Sequence, residues 1–378
     1  MLAIYRKYRP KILFDLLGQE AISEILKNAA RFDRLAHAYL FYGPKGSGKT
    51  TTARIIAKIA NCKTRIENLE FRIKGEPCNE CQACLEIDKG SAMDVIEIDA
   101  ASNRGIDEIR NLKENIRVSP ASYAYKVYII DEAHQLTKDA FNALLKTLEE
   151  PPAHAILILV TTESEKMPAT IISRTQRFHF KRLSLQTIAE KLKTIAKIEN
   201  IKIDDEAVEL IAEAGGGSLR DAESLLDQIA SLTQNYAEEK SSKLRGQISI
   251  ADVEKIIGAV SFSKTSKLAE LLINRDLAAG LEYLSEISEG GYNLIQFNKD
   301  LIHYFRRVLA LKFSPELENH FSREMTDQEL KTIKKHSQII DADKIVKLIK
   351  SLIEAYTEMR YSPFAIVPLE VAIIENLK

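Results

Sequence analysis

The sequence of 378 residues predicts an α/β fold built on a parallel sheet in its first half, and a helical second half. Three observations predict this division. Short apolar runs alternate with helical patterns between residues 38 and 180, the first run leads into a glycine-rich phosphate-binding motif, and no convincing strand pattern follows residue 181. A chain of this length is expected to form two or three domains.

The predicted strands are short and mostly rich in β-branched or aromatic residues, as expected for buried strands of a parallel sheet. They lie at residues 38–42, 95–98, 127–130, 156–160 and 178–180. The clearest helix between them covers residues 138–150, where Phe141, Leu144 and Leu148 share one face and Pro151 ends the helix. This alternation is typical of a sheet with helices on both faces.

Helical patterns continue beyond the predicted sheet. Residues 184–232 are expected to form three short helices, the last at 219–229 after a glycine triplet. The polar stretch 234–246 is typical of a linker, and the chain is again helical from Ser249 onward. We therefore predict three domains, at residues 1–180, 181–243 and 244–378.

Composition narrows the function classes. The net charge is only -1, so nucleic-acid binding would need a local basic patch or an assembly of several subunits. No apolar run approaches the roughly 18 residues of a membrane span, and the first residues are too polar for a signal peptide. We expect a cytoplasmic protein without a membrane partner, whose cysteines stay reduced and serve as metal ligands.

Residues 43–50 match the phosphate-loop pattern G-x-x-x-x-G-K-[ST] at every fixed position. The glycines let backbone N–H groups turn toward phosphate oxygens at the positive end of the following helix. Lys49 is expected to bind the β- and γ-phosphates, and Thr50 is expected to ligate Mg²⁺. The predicted nucleotide-binding residues of the loop are Gly43, Pro44, Lys45, Gly46, Ser47, Gly48, Lys49, Thr50 and Thr51.

Two acids follow the predicted strand at 127–130. A carboxylate at the carboxyl end of a strand beside the phosphate loop is where a Mg²⁺ ligand belongs, so Asp131 is expected to hold Mg²⁺ through water. Glu132 is the predicted general base that activates the attacking water. Thr162 could sense the γ-phosphate, although a threonine after a strand is more often a turn residue. For His134, capping or packing is expected rather than catalysis.

All four cysteines fall within one short insertion, at residues 62–84. Cys78, Cys81 and Cys84 have a spacing that lets three thiolates converge on one ion, and Cys62 can complete a tetrahedral set. Structural Zn²⁺ is the predicted occupant. An iron–sulfur cluster competes with it, but the cysteine and proline that ferredoxins carry shortly afterwards are missing from residues 85–90. Unliganded and disulfide-bonded states are the remaining alternatives.

Several motifs resemble those of the gamma/tau subunits of bacterial DNA polymerase III, the ATPases of the sliding-clamp loader. The motifs are Tyr8-Arg9-Pro10, Phe14-x-x-Leu17-Gly18-Gln19-Glu20, HAYLF at 37–41, DAASN at 99–103 and, most diagnostic, FNALLKTLEEPP at 141–152. The similarity covers nearly all of the first two predicted domains and is looser in the C-terminal third.

The resemblance implies an AAA+ P-loop ATPase domain carrying the zinc module, then a small helical lid domain and an all-helical collar that mediates oligomerisation. It implies that Thr162 is sensor 1 and that Arg220 is sensor 2, contacting the γ-phosphate in the same subunit. Arg174 would be an arginine finger that reaches the ATP of a neighbouring subunit, with Thr175 in place of the family's cysteine. The implied walls of the adenine pocket are Pro10, Leu17 and Leu219.

The implied function is an ATP hydrolase within the DNA-directed DNA polymerase holoenzyme, working in a pentamer that opens the sliding clamp and loads it onto primed DNA during replication. ATP, Mg²⁺ and structural Zn²⁺ are the implied ligands. The implied partners are delta, delta-prime, further copies of the chain, the clamp and primer–template DNA. The chain stops where the collar is expected to end, as in a short gamma-type product or a truncated chain.

Arg104, Arg110 and Lys113 are candidates for contacts with DNA phosphates, and a solvated helix face is the alternative for them. Two other functions remain open. One is a different AAA+ DNA-remodelling ATPase, and the other is a non-hydrolysing scaffold similar to delta-prime.

Overall fold

The computed structural model describes residues 3–102, 112, 114–239, 247–257, 262–321, 325 and 327–377. The chain divides into two compact units. The first comprises residues 1–183 together with 217–220, and the second comprises residues 184–216 together with 221–378.

A five-stranded parallel sheet forms the centre of the first unit. Its strands are β1 (Ala38–Tyr42), β2 (Val95–Asp99), β3 (Lys126–Asp131), β4 (Ala155–Thr161) and β5 (Gln176–His179). Their order in the sheet is β2-β3-β4-β1-β5. Because β1 pairs with β4 and β5, Tyr42 lies level with Thr161 and His179. The prediction of a parallel α/β fold is confirmed.

The first unit also contains helices on both faces of this sheet. They are α1 (Ile4–Lys7), α2 (Glu20–Arg31), α3 (Lys49–Asn61), α4 (Lys63–Glu67), α5 (Leu69–Lys74), α6 (Gln82–Lys89), α7 (Lys138–Glu149) and α8 (Ala169–Ile172). Short 3₁₀ turns occur at Leu13–Asp15, Ala133–Gln135 and Ser164–Lys166. The backbone N–H of Ala140 donates to the Thr137 hydroxyl, which caps α7, and the helix ends just before the proline pair at 151–152.

Alternate strand residues supply two apolar cores, one on each face of the sheet. Phe41 and Ile129 join the core that includes Ile55 of α3. Leu40 and Ile130 join the core of the opposite face, which α7 completes. Burial on both faces explains why these strands are continuous apolar runs in the sequence.

Strand β5 differs from its predicted bounds. It covers Gln176–His179, whereas 178–180 was predicted. The earlier start arises because the exposed residues Gln176 and Arg177 also pair with β1. Polar side chains on an edge strand conceal the strand from a search for apolar runs.

The second unit is almost entirely helical. Its helices are α9 (Leu185–Ile198), α10 (Asp205–Ala214), α11 (Leu219–Glu239, which begins in the first unit), α12 (Ile250–Ile257), α13 (Phe262–Ile273), α14 (Leu277–Glu289), α15 (Leu294–Phe313), α16 (Glu318–Phe321), α17 (Asp327–Ile339), α18 (Ala342–Met359) and α19 (Ile366–Leu377), with a 3₁₀ turn at Pro315–Leu317. Phe297 and Phe305 of α15 are fully buried with Leu352 of α18 in one core. The Asn298 side-chain NH₂ donates to the Leu352 carbonyl at 3.0 Å, whereas its buried Oδ1 has no hydrogen-bond partner among the described residues.

Two predictions for this half are wrong in detail. A short strand β6 (Lys202–Ile203) pairs in parallel with β7 (Gln247–Ile248), although no strand was expected after residue 181. Strands of two residues are too short to show the alternation of apolar and polar residues that identifies a strand. Helix α11 continues to Glu239, into the stretch predicted as a linker, because the alanine and the two glutamates at 237–239 have high helix propensity. Among the described residues, every helix is too short or too polar to span a lipid bilayer.

Candidate nucleotide site and cysteine cluster

The phosphate-loop motif connects β1 to α3 and curls in a conformation that glycine permits. Gly46 and Gly48 have φ angles of +74° and +97°, in the left-handed region where side chains are disfavoured. Space is also limited, since a Cβ atom on Gly46 would lie 1.9 Å from the Ser218 Oγ. Ser218 therefore sits directly against the loop, a contact that the sequence did not indicate.

Lys49 lies in the first turn of α3 and is only 6% exposed. Its Nζ donates hydrogen bonds to the carbonyl oxygens of Gly43 at 2.8 Å and Pro44 at 2.7 Å. Burial lowers the pKa of Lys49, and the nearby carboxylates of Glu132 and Asp131 oppose this shift. The ammonium group is thus held inside the curl of the loop, where a phosphate would meet it.

Thr50 and Asp131 meet between α3 and the end of β3. The Thr50 hydroxyl donates to the Asp131 Oδ2 at 2.9 Å. Mg²⁺ in such sites has few protein ligands and keeps several of its waters. The pair therefore has the chemistry of a Mg²⁺ site in which Thr50 is a direct ligand and Asp131 binds through water.

Glu132 follows β3 with a φ angle of +47°, an uncommon conformation for a residue with a side chain. Its Oε2 accepts a hydrogen bond from the Thr162 hydroxyl at 2.9 Å. Thr162 stands just after β4, the neighbour of β3 in the sheet. The sheet thus brings together the predicted base and the predicted sensor threonine.

His134 is buried behind this pair, with a side chain that is 4% exposed. Its Nδ1 lies 2.9 Å from the Thr161 hydroxyl and 3.4 Å from the Glu132 Oε2, while its Nε2 lies 3.1 Å from the Glu163 Oε1. The capping or packing role expected for His134 remains a prediction. Its contact with Thr161 arises because β3 and β4 are neighbours in the sheet, which the sequence alone did not reveal.

The two predicted arginines occupy different surroundings. Arg174 is partly exposed, pairs with Glu149 at 2.7 Å and donates to the Thr170 carbonyl at 2.9 Å. The Arg220 guanidinium carbon lies 5.1 Å from the centre of the Tyr5 ring, a cation–π distance. Tyr5 is a neighbour of the sensor position that sequence reasoning missed.

The predicted adenine-pocket residues Pro10, Leu17 and Leu219 are all partly buried. Leu16, which the prediction passed over, is 4% exposed and packs near the loop; its Cδ2 would lie 3.6 Å from a Cβ atom on Gly48. No sequence motif marks Leu16, and only its burial in the structure identifies it as a neighbour of the phosphate loop. The candidate DNA contacts Arg104, Arg110 and Lys113 lie outside the described residues.

The four cysteines converge in space. Their Sγ atoms all lie within 4.8 Å of one another, and none of the four is in a disulfide. Four thiolates around one Zn²⁺ with bonds of about 2.3 Å would be about 3.8 Å apart, and the Cys78 and Cys84 sulfurs are separated by 4.0 Å. The cluster therefore fits a single tetrahedral metal ion.

Hydrogen bonds support thiolate character at Cys62 and Cys78. The backbone N–H of Cys81 donates to the Cys78 Sγ at 3.2 Å. A hydrogen bond from the Cys84 thiol lowers the pKa of Cys62, and the same hydrogen bond raises the pKa of Cys84. Thiolates are the form that binds metal.

Family models match the chain in three consecutive parts. Residues 18–184 match a model described as DNA polymerase III, delta subunit. Residues 187–235 match the ATPase lid domain of the DNA polymerase III clamp loader subunit, and residues 248–377 match domain III of the gamma and tau subunits.

Curated relatives extend this result to nearly the whole chain. The DNA polymerase III subunit gamma of Buchnera aphidicola is 34% identical over 95% of this chain and 93% of its own length. The chain belongs to the DNA polymerase III gamma/tau family. The tau subunit of Bacillus subtilis is 42% identical over 99% of the chain, and the tau subunit of Escherichia coli is 34% identical over 98%.

Gamma/tau relatives are often longer than this chain, which spans 62% of the Bacillus tau subunit and 54% of the Escherichia coli one. Among solved structures, the branch migration motor RuvB of Thermotoga maritima matches at 18% identity and a TM-score of 0.46, over 70% of this chain and 79% of that one. The gamma/tau assignment confirms the predicted order of architecture, an AAA+ α/β domain followed by a helical lid and a helical third domain.

Proposed function

We propose that the chain is an ATP-hydrolysing motor subunit of the bacterial clamp loader, which opens the sliding clamp and loads it onto primed DNA. One observation carries this proposal. Hydrogen bonds join Thr50 to Asp131 and Thr162 to Glu132 beside the buried Lys49, so the groups needed for ATP chemistry converge at one end of the sheet. Membership of the gamma/tau family supports the same conclusion.

Binding begins with an exchange of partners at Lys49. An ammonium group has three donors, and two of them now bind loop carbonyls, so the β- and γ-phosphate oxygens of ATP can replace or join these acceptors. Backbone N–H groups of the loop after Pro44 bind the phosphates in this proposal. Thr50 would hold Mg²⁺ directly and Asp131 would hold it through water, and the ion would neutralise charge on the phosphates.

Hydrolysis requires a water molecule in line with the γ-phosphate. Glu132 accepts a proton from this water as it attacks, and Thr162 orients the carboxylate through its hydroxyl. Arg220 contacts the γ-phosphate in the same subunit. Pro10, Leu17 and Leu219 form walls around the adenine.

Arg174 acts on the neighbouring subunit. It must leave Glu149, but this costs little, because exposed ion pairs stabilise a protein by only about 0.2–1 kcal/mol. An arginine finger accelerates phosphoryl transfer about 10³–10⁵-fold, so hydrolysis would depend on assembly. The assembly is a pentamer of copies of this chain with delta and delta-prime, and its DNA contacts are mainly to phosphates.

Steady-state ATPase assays test this function. The chain alone should be slow, and partner subunits, clamp and primed DNA should stimulate it strongly. Lys49→Ala should abolish the stimulated rate, and Arg174→Ala should preserve ATP binding while hydrolysis is lost. Arg177→Ala, at an exposed arginine of β5, is the matched control and should behave like the wild type. An isolated chain as fast as the full assembly would overturn the proposal.

The cysteine cluster holds structural Zn²⁺ in this proposal. Elemental analysis of the purified chain should find about one zinc per chain, in keeping with a closed Cys₄ site. Iron together with sulfide would instead assign an iron–sulfur cluster.

A further inference from the structure

The loop that carries the cysteines also contacts the N-terminal segment of the chain. Glu76, two residues before Cys78, accepts hydrogen bonds from the backbone N–H groups of Leu13 at 2.8 Å and Phe14 at 3.0 Å. These are N–H groups at the start of the 3₁₀ turn Leu13–Asp15, which has no side-chain cap of its own. A carboxylate is a strong acceptor for such groups, so Glu76 fixes the turn.

A second contact joins the same loop to the phosphate-loop helix. Lys58 of α3 is 1% exposed and donates to the Asn79 Oδ1 at 2.7 Å and to the Lys11 carbonyl at 2.9 Å. It also pairs with Asp88 of α6 at 2.9 Å. The three acceptors satisfy all three donors of the buried ammonium. Asn79, between two of the cysteines, is thus tied through Lys58 to residue 11.

The segment held in this way leads directly to the nucleotide site. The Ser23 hydroxyl donates to the Leu13 carbonyl at 2.8 Å, and Leu13 is fully buried. A few residues later Leu16 packs beside Gly48 of the phosphate loop. The proposed adenine walls Pro10 and Leu17 flank this anchored stretch. Residues 11–14 therefore connect the cysteine-containing segment 62–84, here called the cysteine module, to the proposed adenine pocket.

We propose that the cysteine module positions the adenine pocket, with Glu76 as its principal positioning residue. The inference rests on the proposed function, since it requires that the phosphate loop binds ATP. The anchored stretch has only one short 3₁₀ turn, so without these contacts it would have to be ordered when ATP binds. That ordering would cost binding free energy. The module removes this cost by holding the stretch in place beforehand.

Two ligands separate this role from a general loss of structure. ATP contacts both the phosphate loop and the adenine walls, whereas inorganic triphosphate contacts the loop alone. In the 378-residue chain, Glu76→Ala should raise the Kd for ATP about tenfold, because two charge-assisted hydrogen bonds to the segment are lost. The Kd for triphosphate and the metal content should stay unchanged. Glu80→Ala, at an exposed acid of the same loop, is the control and should alter none of these values.

A second variant tests the other contact. Asn79 has a φ angle of +60°, so Asn79→Gly keeps the backbone conformation while it removes the acceptor for Lys58. It should raise the Kd for ATP about threefold, because Lys58 retains two acceptors. If Glu76→Ala does not fold, this variant decides the question.

The outcomes are distinct. If both variants bind ATP like the wild type, or if ATP and triphosphate weaken equally, the positioning role is wrong. Lys49→Ala should weaken both ligands. If Lys49→Ala leaves both affinities unchanged, the proposed nucleotide site fails instead.

Discussion

Gly46 offers a sharp test of the loop geometry, because a single methyl group there meets a defined obstacle. Gly46→Ala would place a Cβ atom 1.9 Å from the Ser218 Oγ, 2.7 Å from its Cβ and 3.0 Å from its Cα. Since carbon atoms in contact normally stay about 3.5 Å or more apart, Ser218 must move by more than about 1 Å. Ser218 is buried, so the move disturbs packed atoms.

Two costs combine in this variant. The φ angle of +74° costs alanine about 1–2 kcal/mol relative to glycine, and overpacking typically costs about 1–3 kcal/mol more. We expect Gly46→Ala to lower the free energy of unfolding by about 2–5 kcal/mol. Because Arg220 lies two residues after Ser218, the displaced segment should also slow ATP hydrolysis in the assembled loader.

Gly216→Ala is the matched control. Gly216 also has a positive φ angle, +57°, but a Cβ atom there meets nothing within 4 Å. Gly216→Ala should therefore lower the free energy of unfolding only through the unfavourable φ angle, by about 1–2 kcal/mol. Ser218→Gly should recover part of the loss in the Gly46→Ala background, because it removes two of the three close atoms. Urea denaturation gives the free energy of unfolding of the wild type, the two alanine variants and the double variant. An equal loss of stability in Gly46→Ala and Gly216→Ala would refute the close approach of Ser218.

Three further predictions follow. Thr162→Val removes the hydroxyl that orients Glu132, so we expect kcat of the assembled ATPase to fall about 10–100-fold with little change in the Kd for ATP. Burial raises the pKa of Asp300 to about 6, whereas its value in the unfolded chain is about 3.9. The ionised carboxylate therefore destabilises the folded state above about pH 6. This loss of stability disappears as the pH falls toward 4, because the carboxyl group is then protonated in the folded state. Asp300→Asn should therefore stabilise the chain at pH 7 by about 1–2 kcal/mol and by much less at pH 4, measured by urea denaturation. Lys58→Met should lower the free energy of unfolding by about 2–4 kcal/mol, because three partly buried acceptors lose their donor.

Each of these has its own control. Thr162→Ser keeps a hydroxyl and should retain most activity; a kcat as low as that of the valine variant would argue against the hydrogen bond. Asp343→Asn changes an exposed acid at the start of α18, and a pH-dependent gain as large as that of Asp300→Asn would show that burial is not the cause. Lys63→Met replaces a lysine that is 75% exposed, and a loss equal to that of Lys58→Met would mean that the buried contacts contribute nothing.

Local patterns in the sequence predicted much of this molecule. Neighbouring residues determine the loop at 43–50, the helix over 138–150 and the strands of the sheet. The spacing, hydrophobicity and glycine content of those residues can be read directly from the sequence. The cluster of cysteines was predictable for the same reason, since three of the four lie within seven residues. Strand β5 and the pair β6 and β7 were less visible, because edge position and short length weaken the pattern.

Contacts across long stretches of chain were decided only by the tertiary structure. Thr162 meets Glu132 because β3 and β4 are neighbours in the sheet, and Ser218 meets Gly46 because the chain returns to the first unit at 217–220. Glu76 lies more than 60 residues from Leu13, and no spacing rule joins them. Residue type and short-range spacing determined which chemical groups this chain possesses, whereas packing of distant segments determined which of those groups touch, because hydrogen bonds act over about 3 Å regardless of separation in sequence.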